Sequence, residues 1–427
     1  MMTLKEYFEK HPTKKARIEA LETELAELAT AYGKLKTAYG KLETKNEKLK
    51  ADKEKLKADK EAAVEKAKTR ADKYKTAKEE AEQYRQQAKT LESKLKHVQQ
   101  EKRQMEKKRT YLPAVMKATG WDLDTADAKM ERAKQVAGSS YENYANFRFW
   151  ELTEEEQKTY FNRQDMVCLR RKYNTDKKIV ETMKNKDSCC ALLEPYLGRP
   201  WMLTENMTFE TFCEKFGNEK KIVYKLLASS GGRGIKAMEL TPDTLREVYD
   251  QIAAMPAGLI EGYLTQHPEM AKFTRNSVNT IRVVTVNTKD DIPGVEKNKV
   301  HFLFAGMRLG QGDSIADNLH SGGMVASVDI DTGVVLTGGI DYRNIMHEVH
   351  PDTNIPIKGF QIPMFQEIKD MIVRASTDIP GFFGWDIAIT ETGPVVVEVN
   401  TSPDVGVLQM PYVPEKKGMR YVVEKYL

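Results

Sequence analysis

Leucine recurs at every seventh residue near the start of the chain, and this repeat constrains the fold more than any other feature. The leucines hold one heptad position from Leu21 to Leu56, and mainly apolar residues continue that series to Leu112, with Arg70 as its break. The position three residues earlier in each heptad is apolar at both ends of the segment and polar in the middle, from Asn46 to Lys60. Two such positions in each heptad are typical of a coiled coil.

We expect this coiled coil to span residues 16–112, after a leader at residues 1–15. About 94 residues in one unbroken helix, rising about 1.5 Å per residue, would form a rod of about 140 Å. Polar residues in the seam of a parallel coiled coil favour two strands and fix their register. The segment therefore predicts a homodimer. The alternative is a single solvated helix that pairs of lysine and glutamate stabilise.

Two acidic residues near the end of the chain indicate a metal site. Asp386 and Glu398 lie on two short apolar strands, joined by a turn at 390–394 that we expect to be a three-residue hairpin loop. The expected register places Ala388 opposite Val396 and Asp386 opposite Glu398, and it puts Asn400 on the face of Glu398. Carboxylate and amide oxygens are hard ligands of the kind that Mg²⁺ takes together with phosphates and water. The stretch therefore predicts magnesium and a nucleotide.

A strand that carries a lysine precedes a glycine-rich loop further upstream. Residues 222–227 are predicted to form a buried strand that contains Lys225, and the loop that follows offers Ser230, Gly231, Gly232 and Gly234. Backbone N–H groups of such a loop, together with an ammonium group, can contact phosphate oxygens without obstruction by side chains. The segment is not a Walker loop, because it lacks Gly-Lys-Ser/Thr and the helix that should follow.

These motifs together resemble the ATP-grasp superfamily, and most closely its sugar-transfer-associated branch, which is related to α-L-glutamate-ligase-like proteins. The resemblance covers residues 138–427. It rests on these segments: Tyr224-Lys225 with 230–234, 259–263 with 266–268, 277–285, Arg308 with Asp317-Asn318 and Gly322-Gly323, and 384–386 with 398–400. The resemblance implies an α+β fold in which two subdomains enclose ATP. It also implies a reaction in which a carboxylate is phosphorylated before an amine or similar nucleophile attacks.

The resemblance assigns the nucleotide contacts. Lys225 matches the strand lysine that contacts phosphate, and residues 230–234 match the lid over the phosphates. An earlier phosphate-binding lysine fits Lys186 best, with Lys177 as the competing choice. The resemblance places Glu261 in the segment that contacts adenine. It makes His267 a candidate for binding the ribose.

The remaining site residues follow from the same resemblance. Asp386, Glu398 and Asn400 match the magnesium ligands. Arg282, inside an apolar run, would be costly to bury without an anion, which could be a phosphate, a substrate carboxylate or the partner in a structural salt bridge. The residues assigned to catalysis are Arg282, Lys225 and Asn279. Those assigned to substrate binding are Arg308, Asp317 and Asn318, which could instead brace a loop.

Composition limits the function classes. The net charge of +4 on 427 residues gives no support for nucleic-acid binding. The sequence contains no apolar run of about 20 residues that could span a membrane, and its first residues lack the apolar core of a signal peptide. The four cysteines show no paired spacing, so we expect reduced thiols and a cytoplasmic location.

The sequence predicts a helical connector at 113–185, which packs on an ATP-grasp domain at 186–427. The predicted function is that of an ATP- and Mg²⁺-dependent ligase that joins a carboxylate to an amine or related group through an acyl phosphate and releases ADP. The family name alone suggests a small-molecule or sugar-linked acid in cell-envelope or exopolysaccharide modification. The alternatives are an ATP-dependent phosphotransferase and a coiled-coil scaffold with a nucleotide-sensing domain.

Overall fold

A computed structural model describes residues 12–56, 64–227, 234–274 and 276–427. The chain divides into two compact units, Met1–Asp127 and Ala128–Leu427. None of the described helices has the length and apolar character that crossing a membrane requires.

Two long helices dominate the first unit, α1 (Pro12–Leu56) and α2 (Val64–Thr119). They pack against each other within one chain. Arg17 Nη2 donates to Glu101 Oε2 at 3.3 Å, and Lys102 Nζ lies 3.2 Å from Glu22 Oε1. The start of α1 therefore lies beside the later part of α2, so the pair is antiparallel. The rod of about 140 Å required one unbroken helix, and the antiparallel pairing of α1 and α2 does not meet that condition.

The charge pattern explains why the two helices pair within the chain. Residues 34–50 contain six lysines and two glutamates, and a parallel homodimer would place these lysines beside their own copies. The antiparallel register instead brings 34–50 alongside 76–92, which contains four glutamates, two lysines and one arginine and is net acidic. The residues at the predicted seam positions are the less exposed ones in both helices. They are already covered within the chain, and the homodimer stays a prediction.

Helix α2 continues beyond the predicted boundary of the coiled coil. Pro113 lies inside the helix, which ends only at Thr119. Gly120 takes a positive φ of 73°, and its N–H donates to the carbonyl of Met116 at 2.8 Å. The glycine, rather than the proline, therefore marks the end of the helix.

From Ala128 onwards, the connector and the catalytic region form one unit. Its helices are α3 (Leu123–Ala137, which begins at the end of the first unit), α4 (Tyr141–Asn146), α5 (Glu154–Lys158), α6 (Arg163–Tyr173), α7 (Lys177–Lys184), α8 (Lys186–Leu193), α9 (Phe209–Phe216), α10 (Leu245–Ala253), α11 (Pro268–Ala271), α12 (Phe365–Ser376) and α13 (Gly406–Gln409). Thr153 and Glu156 form a capping box at the start of α5. Phe161 of the connector packs edge-on against Phe304 of the catalytic region, with ring centroids 5.9 Å apart.

The second unit contains two antiparallel sheets. The smaller has the order β1-β4-β2-β3 and the larger the order β11-β10-β5-β6-β7-β8-β9. The strands are β1 (Trp201–Leu203), β2 (Lys221–Leu226), β3 (Ile235–Glu239), β4 (Gly258–Gly262), β5 (Thr280–Asn287), β6 (His301–Leu309), β7 (Met324–Val328), β8 (Gly339–Asp341), β9 (Met346–His347), β10 (Gly381–Thr390) and β11 (Gly393–Asn400). The predicted α+β class is confirmed.

Each sheet buries its own apolar core. Phe212, Phe216 and Ile252 from α9 and α10 pack beneath the smaller sheet. Ile368 and Ile372 from α12 join the core of the larger sheet. Leu259 of β4 also belongs to the core of the larger sheet, so the two halves of the unit pack against each other at this strand.

The hairpin of β10 and β11 sets the register of the predicted metal site. Asp386 lies opposite Glu398, as predicted. Nearer the turn, Ala388 lies opposite Val395, one residue away from the expected partner, and two residues rather than three form the loop. A β-bulge at Val397 takes up this difference. The acidic pair is thus correct although the predicted loop is not.

Candidate nucleotide and metal site

A cavity of about 460 Å³ opens between the two sheets of the second unit. Both sheets contribute charged side chains to its wall, and the preceding helix α8 contributes another. The lining includes Lys186, Lys225, Glu261, Arg308, Asp386 and Glu398. Residues predicted from distant parts of the sequence therefore meet in one place.

At one end of the cavity, Lys225 is fixed by a buried carboxylate. Lys225 on β2 forms an ion pair with Glu261 on β4, and Arg199 bonds to the other oxygen of the same carboxylate, with Nε at 2.9 Å. Burial by itself would raise the pKa of Glu261, but Arg199 and Lys225 lower it to about 2. Glu261 was predicted to contact adenine, yet its carboxylate is occupied by these two cations. Its backbone lies in the sheet between Trp201 of β1 and Val223 of β2.

The structure distinguishes the two candidates for the earlier lysine. Lys186 begins α8, lines the cavity and donates to the carbonyl of Leu227 at 3.1 Å. Lys177 is exposed and lies outside the cavity lining. The position of Lys186 therefore agrees better with a phosphate contact.

Only the last residue of the predicted phosphate lid, Gly234, is among the residues that the structure describes. Ser230, Gly231 and Gly232 lie outside the described residues. Gly234 follows them with a positive φ of 72°, and its carbonyl accepts the N–H of Leu226 at 3.1 Å. This bond holds the ends of the loop together next to Lys225.

At the other end of the cavity, two guanidinium groups surround Asp386. Arg282 Nη2 donates to Asp386 Oδ2 at 2.8 Å, and Arg282 Nε bonds to the other carboxylate oxygen. Arg308 Nη1 lies 2.9 Å from Oδ2, and Asn400 Nδ2 lies 3.4 Å from it. Burial alone would raise the pKa of Asp386, but the two arginines lower it to about 2. The structural salt bridge considered for Arg282 is therefore present.

Glu398 differs from Asp386 in its surroundings. The side chain of Glu398 is exposed to the cavity, and the protein atoms around the cavity shield its carboxylate from bulk water. Burial and the charge of Asp386 raise its pKa. No cation lies within ion-pairing distance of Glu398 in the part of the chain that the structure describes. Its carboxylate therefore remains available to a ligand.

The three predicted metal ligands meet, but they are not equally available. Glu398 supplies an open carboxylate, which fits a hard cation, and Asn400 lies on the same face of β11. Asp386 already accepts from two guanidinium groups. Within the described residues, no three acidic, histidine or cysteine side chains form a ready-made metal cluster. This donor set would suit a metal held by Glu398 together with the oxygens of a bound phosphate.

The predicted substrate residues form a connected group. Arg308 pairs with Asp317 at 3.1 Å and also bonds to the Asn318 side chain. Burial alone would lower the pKa of Arg308, but Asp317 and Asp386 raise it. Asp317 in turn accepts the backbone N–H of Thr280 at 2.9 Å. All of these residues line the cavity, so they lie where a substrate could contact them.

Two other candidates are placed differently from the prediction. Asn279 is fully buried, donates to the Met270 carbonyl at 2.9 Å and accepts from the Gly310 N–H at 3.2 Å. The His267 ring accepts the Glu269 N–H at 3.2 Å and caps the short helix α11. Neither residue lines the cavity. Their positions indicate structural roles instead of contacts with substrate or ribose.

Arg199 is the residue that sequence reasoning overlooked. It follows Gly198 in a loop before β1, and its side chain is 4% exposed. Its carboxylate partner Glu261 is 62 residues away in the chain. The only signal in the sequence was an arginine between a glycine and Pro200, which does not reveal such a partner.

Comparison with known proteins identifies the family. A model described as sugar-transfer associated ATP-grasp matches residues 208–425, which is half of the chain. No curated protein matches.

Several solved structures are similar in part. N5-carboxyaminoimidazole synthetase from Staphylococcus aureus with ADP is 12% identical, with a TM-score of 0.33 over 53% of this chain and 47% of the other. The ATP-grasp ligase PsnB with a precursor variant, Mg and ADP is 13% identical, with a TM-score of 0.32 over 59% and 61%. D-alanine-D-alanine ligase from Coxiella burnetii is 9% identical, with a TM-score of 0.32 over 58% and 57%. The chain spans about half to three fifths of the length of these proteins.

The family match agrees with the arrangement of the site. Two antiparallel sheets enclose a charged cavity, and the matched segment contains both of them apart from the short strand β1. The predicted ATP-grasp fold is confirmed. The chain belongs to the sugar-transfer associated ATP-grasp family.

Proposed function

We propose that the protein is an ATP- and Mg²⁺-dependent ligase that activates a carboxylate as an acyl phosphate and transfers it to an amine or a related nucleophile. The observation that supports this most is the single cavity shared by Lys186, Lys225 and Glu398. Two ammonium groups and an open carboxylate in one cavity suit a polyphosphate together with a divalent cation.

The lysines would bind the phosphates. Lys225 is positioned by Glu261, which fixes the direction of its ammonium group. Lys186 would add a second positive charge from the start of α8. Such positioning and charge stabilisation are what phosphoryl transfer requires of a protein.

Glu398 and Asn400 would hold the metal, while Asp386 would keep two arginines in place beside it. A bound Mg²⁺ would offset the charge of the phosphate oxygens. Arg308 lines the cavity, and Arg282 is anchored by Asp386 next to it. Their guanidinium groups could stabilise the negative charge that develops during transfer.

The reaction would proceed in two transfers. A substrate carboxylate oxygen attacks the γ-phosphorus, and ADP leaves. An amine nitrogen then attacks the carbonyl carbon of the acyl phosphate, inorganic phosphate leaves and the amine loses a proton. Arg308, Asp317 and Asn318 would contact the acid or the nucleophile, since they line the same cavity.

The substrate is proposed to be an amino-acid-like or sugar-linked acid, in line with the family description and a role in envelope or exopolysaccharide modification. A cytoplasmic location suits ATP use and thiols that stay reduced. The four cysteines are free, and burial raises the thiol pKa of Cys189 and Cys190 to about 12. A homodimer through the helices is also proposed, and sedimentation of the full chain at micromolar concentration tests it.

The decisive experiment incubates the protein with ATP, Mg²⁺ and pools of amino acids and uronic acids, and it measures ADP and AMP. We expect ADP release that depends on an acid. Glu398→Gln should lower the rate by about 100-fold or more, because metal ions contribute several kcal/mol to such transition states. Glu391→Gln, in the exposed turn of the same hairpin, should leave the rate unchanged.

The outcome separates the reaction classes. AMP formation would contradict the acyl-phosphate route. A stable phosphorylated product that no amine consumes would instead support a phosphotransferase.

A further inference from the structure

Arg199 joins the two halves of the cavity. Its Nε donates to Glu261 Oε1 at 2.9 Å, and its Nη2 bonds to the same oxygen. Its Nη1 donates to the carbonyls of Leu197 at 2.9 Å and Val396 at 2.8 Å, and its Nη2 also reaches the Val397 carbonyl at 3.4 Å. One buried guanidinium thus contacts the smaller sheet through Glu261 and the larger sheet through β11.

On the side of the smaller sheet, Arg199 acts on the lysine proposed to bind phosphate. Glu261 is 1% exposed and forms an ion pair with Lys225. Without Arg199, this buried carboxylate would have only Lys225 to compensate its charge. The direction of the Lys225 ammonium group therefore depends on Arg199.

On the side of the larger sheet, Arg199 bonds to the β-bulge that precedes the proposed metal ligand. Val396 and Val397 are the residues where the pairing with β10 shifts, and Glu398 follows at once. A bulge redirects the side chains next to it. By bonding both carbonyls, Arg199 fixes the bulge and therefore the direction in which Glu398 points.

The loop that carries Arg199 is built to lie close to β11. Gly198 has a positive φ of 61°, and a Cβ atom there would lie 2.4 Å from Val395 Cγ1. Only glycine allows this approach without displacement. On the other side of Arg199, the carbonyl of Pro200 accepts the N–H of Gly262 at 2.9 Å, so the loop is also fixed to β4.

We propose that Arg199 is a positioning residue that couples the phosphate contact of Lys225 to the metal contact of Glu398. The inference rests on the proposed nucleotide and metal binding. In the wild-type protein, Arg199 would position Lys225 and Glu398 at the same time. Mg²⁺ would therefore tighten nucleotide binding only while the guanidinium bonds both the bulge of β11 and the carboxylate of Glu261.

Calorimetric titration of ADP into the full chain, with and without Mg²⁺, tests this coupling. Arg199→Lys keeps a positive charge for Glu261 but cannot match the several bonds of the planar fork. We expect its affinity without Mg²⁺ to stay within about threefold of wild type and its Mg²⁺-dependent gain to fall by about tenfold or more. Arg199→Met should lose both the affinity for ADP without Mg²⁺ and the gain in affinity that Mg²⁺ gives. Arg246→Met, on the surface of α10, is the matched control and should change neither.

The opposite results would overturn the inference. If Arg199→Lys keeps the full gain from Mg²⁺, or if Arg199→Met lowers stability while the ratio of affinities with and without Mg²⁺ is unchanged, Arg199 only stabilises the fold. If Arg199→Met fails to fold, Arg199→Lys alone decides. Failure of the wild type to bind ADP would remove the proposed function as well, whereas wild-type binding with an unaffected Arg199→Lys removes only the coupling.

Discussion

The two units of this protein use charge in opposite ways. In the helix pair α1 and α2, most charges lie on the surface, with Lys108 as an exception, and the buried positions are apolar, such as Leu21 at 1% exposure. In the second unit, Glu261, Asp386 and Arg308 are themselves buried. Exposed ion pairs are worth about 0–1 kcal/mol, whereas burying charges carries a desolvation cost that apolar packing would avoid. Ion pairs compensate the buried charges of the second unit, and we propose that these charges serve a ligand.

The largest expected effect is on the buried network around Asp386. Asp386→Asn would leave Arg282 and Arg308 without their shared carboxylate. We expect the free energy of unfolding of the second unit to fall by about 3–5 kcal/mol. Urea unfolding measures this, with Asp250→Asn as the control because its pair with Arg246 is exposed. If Asp386→Asn and Asp250→Asn lowered the free energy of unfolding equally, the buried charges would not differ from the exposed ones in their contribution to stability.

In the helix pair, an apolar residue should matter more than the charges. Leu21→Ala removes a side chain that α2 covers, and we expect it to cost about 2–5 kcal/mol. Thermal unfolding followed by the helical circular dichroism signal measures the loss. Glu24→Ala, on the exposed face of α1, should have little effect. If Leu21→Ala left the stability unchanged, the apolar seam would not stabilise the pair of helices α1 and α2.

The two units should also differ in their response to acid. The pKa values of Glu261 and Asp386 are lowered to about 2, so both carboxylates stabilise the fold above their unfolded pKa of about 4. That contribution is lost as pH falls from about 4 towards 2. Unfolding free energies measured across this range should fall steeply for the second unit. Asp386→Asn should flatten the slope, and an unchanged slope would refute the assigned network.

The smallest effect should carry the opposite sign. The pKa of Glu398 is raised, so its charged form is disfavoured in the folded protein at neutral pH. Glu398→Gln should therefore raise the Tm slightly while it lowers the rate of turnover by about 100-fold or more. Differential scanning calorimetry at pH 7 tests this, and a lower Tm would show that Glu398 contributes to the fold.

The sequence was sufficient for features that depend on local patterns. The heptad series predicted which residues of α1 and α2 would be least exposed, and strand periodicity placed Asp386 opposite Glu398. It could not select the partner of the helices, because the same seam suits a second copy or an antiparallel return of the same chain. The charges of 34–50 and 76–92 contained that information, and the prediction did not compare them.

Long-range side-chain pairs were the harder part of the site. Arg282 was expected to need an anion, but its partner Asp386 is 104 residues away. Asp386 was predicted to be a metal ligand because the sequence pattern of the hairpin does not reveal the arginines of β5 and β6 that bind its carboxylate. Arg199 was missed for the same reason, since its role depends on contacts with β4 and β11.

The most direct test of the account is a calorimetric titration of ATP into the wild-type chain and Glu398→Gln, each with and without Mg²⁺. We predict one bound nucleotide per chain, with Mg²⁺ tightening the binding in the wild type and having little effect in Glu398→Gln. Absence of nucleotide uptake by the wild type in the presence of Mg²⁺ would contradict the account.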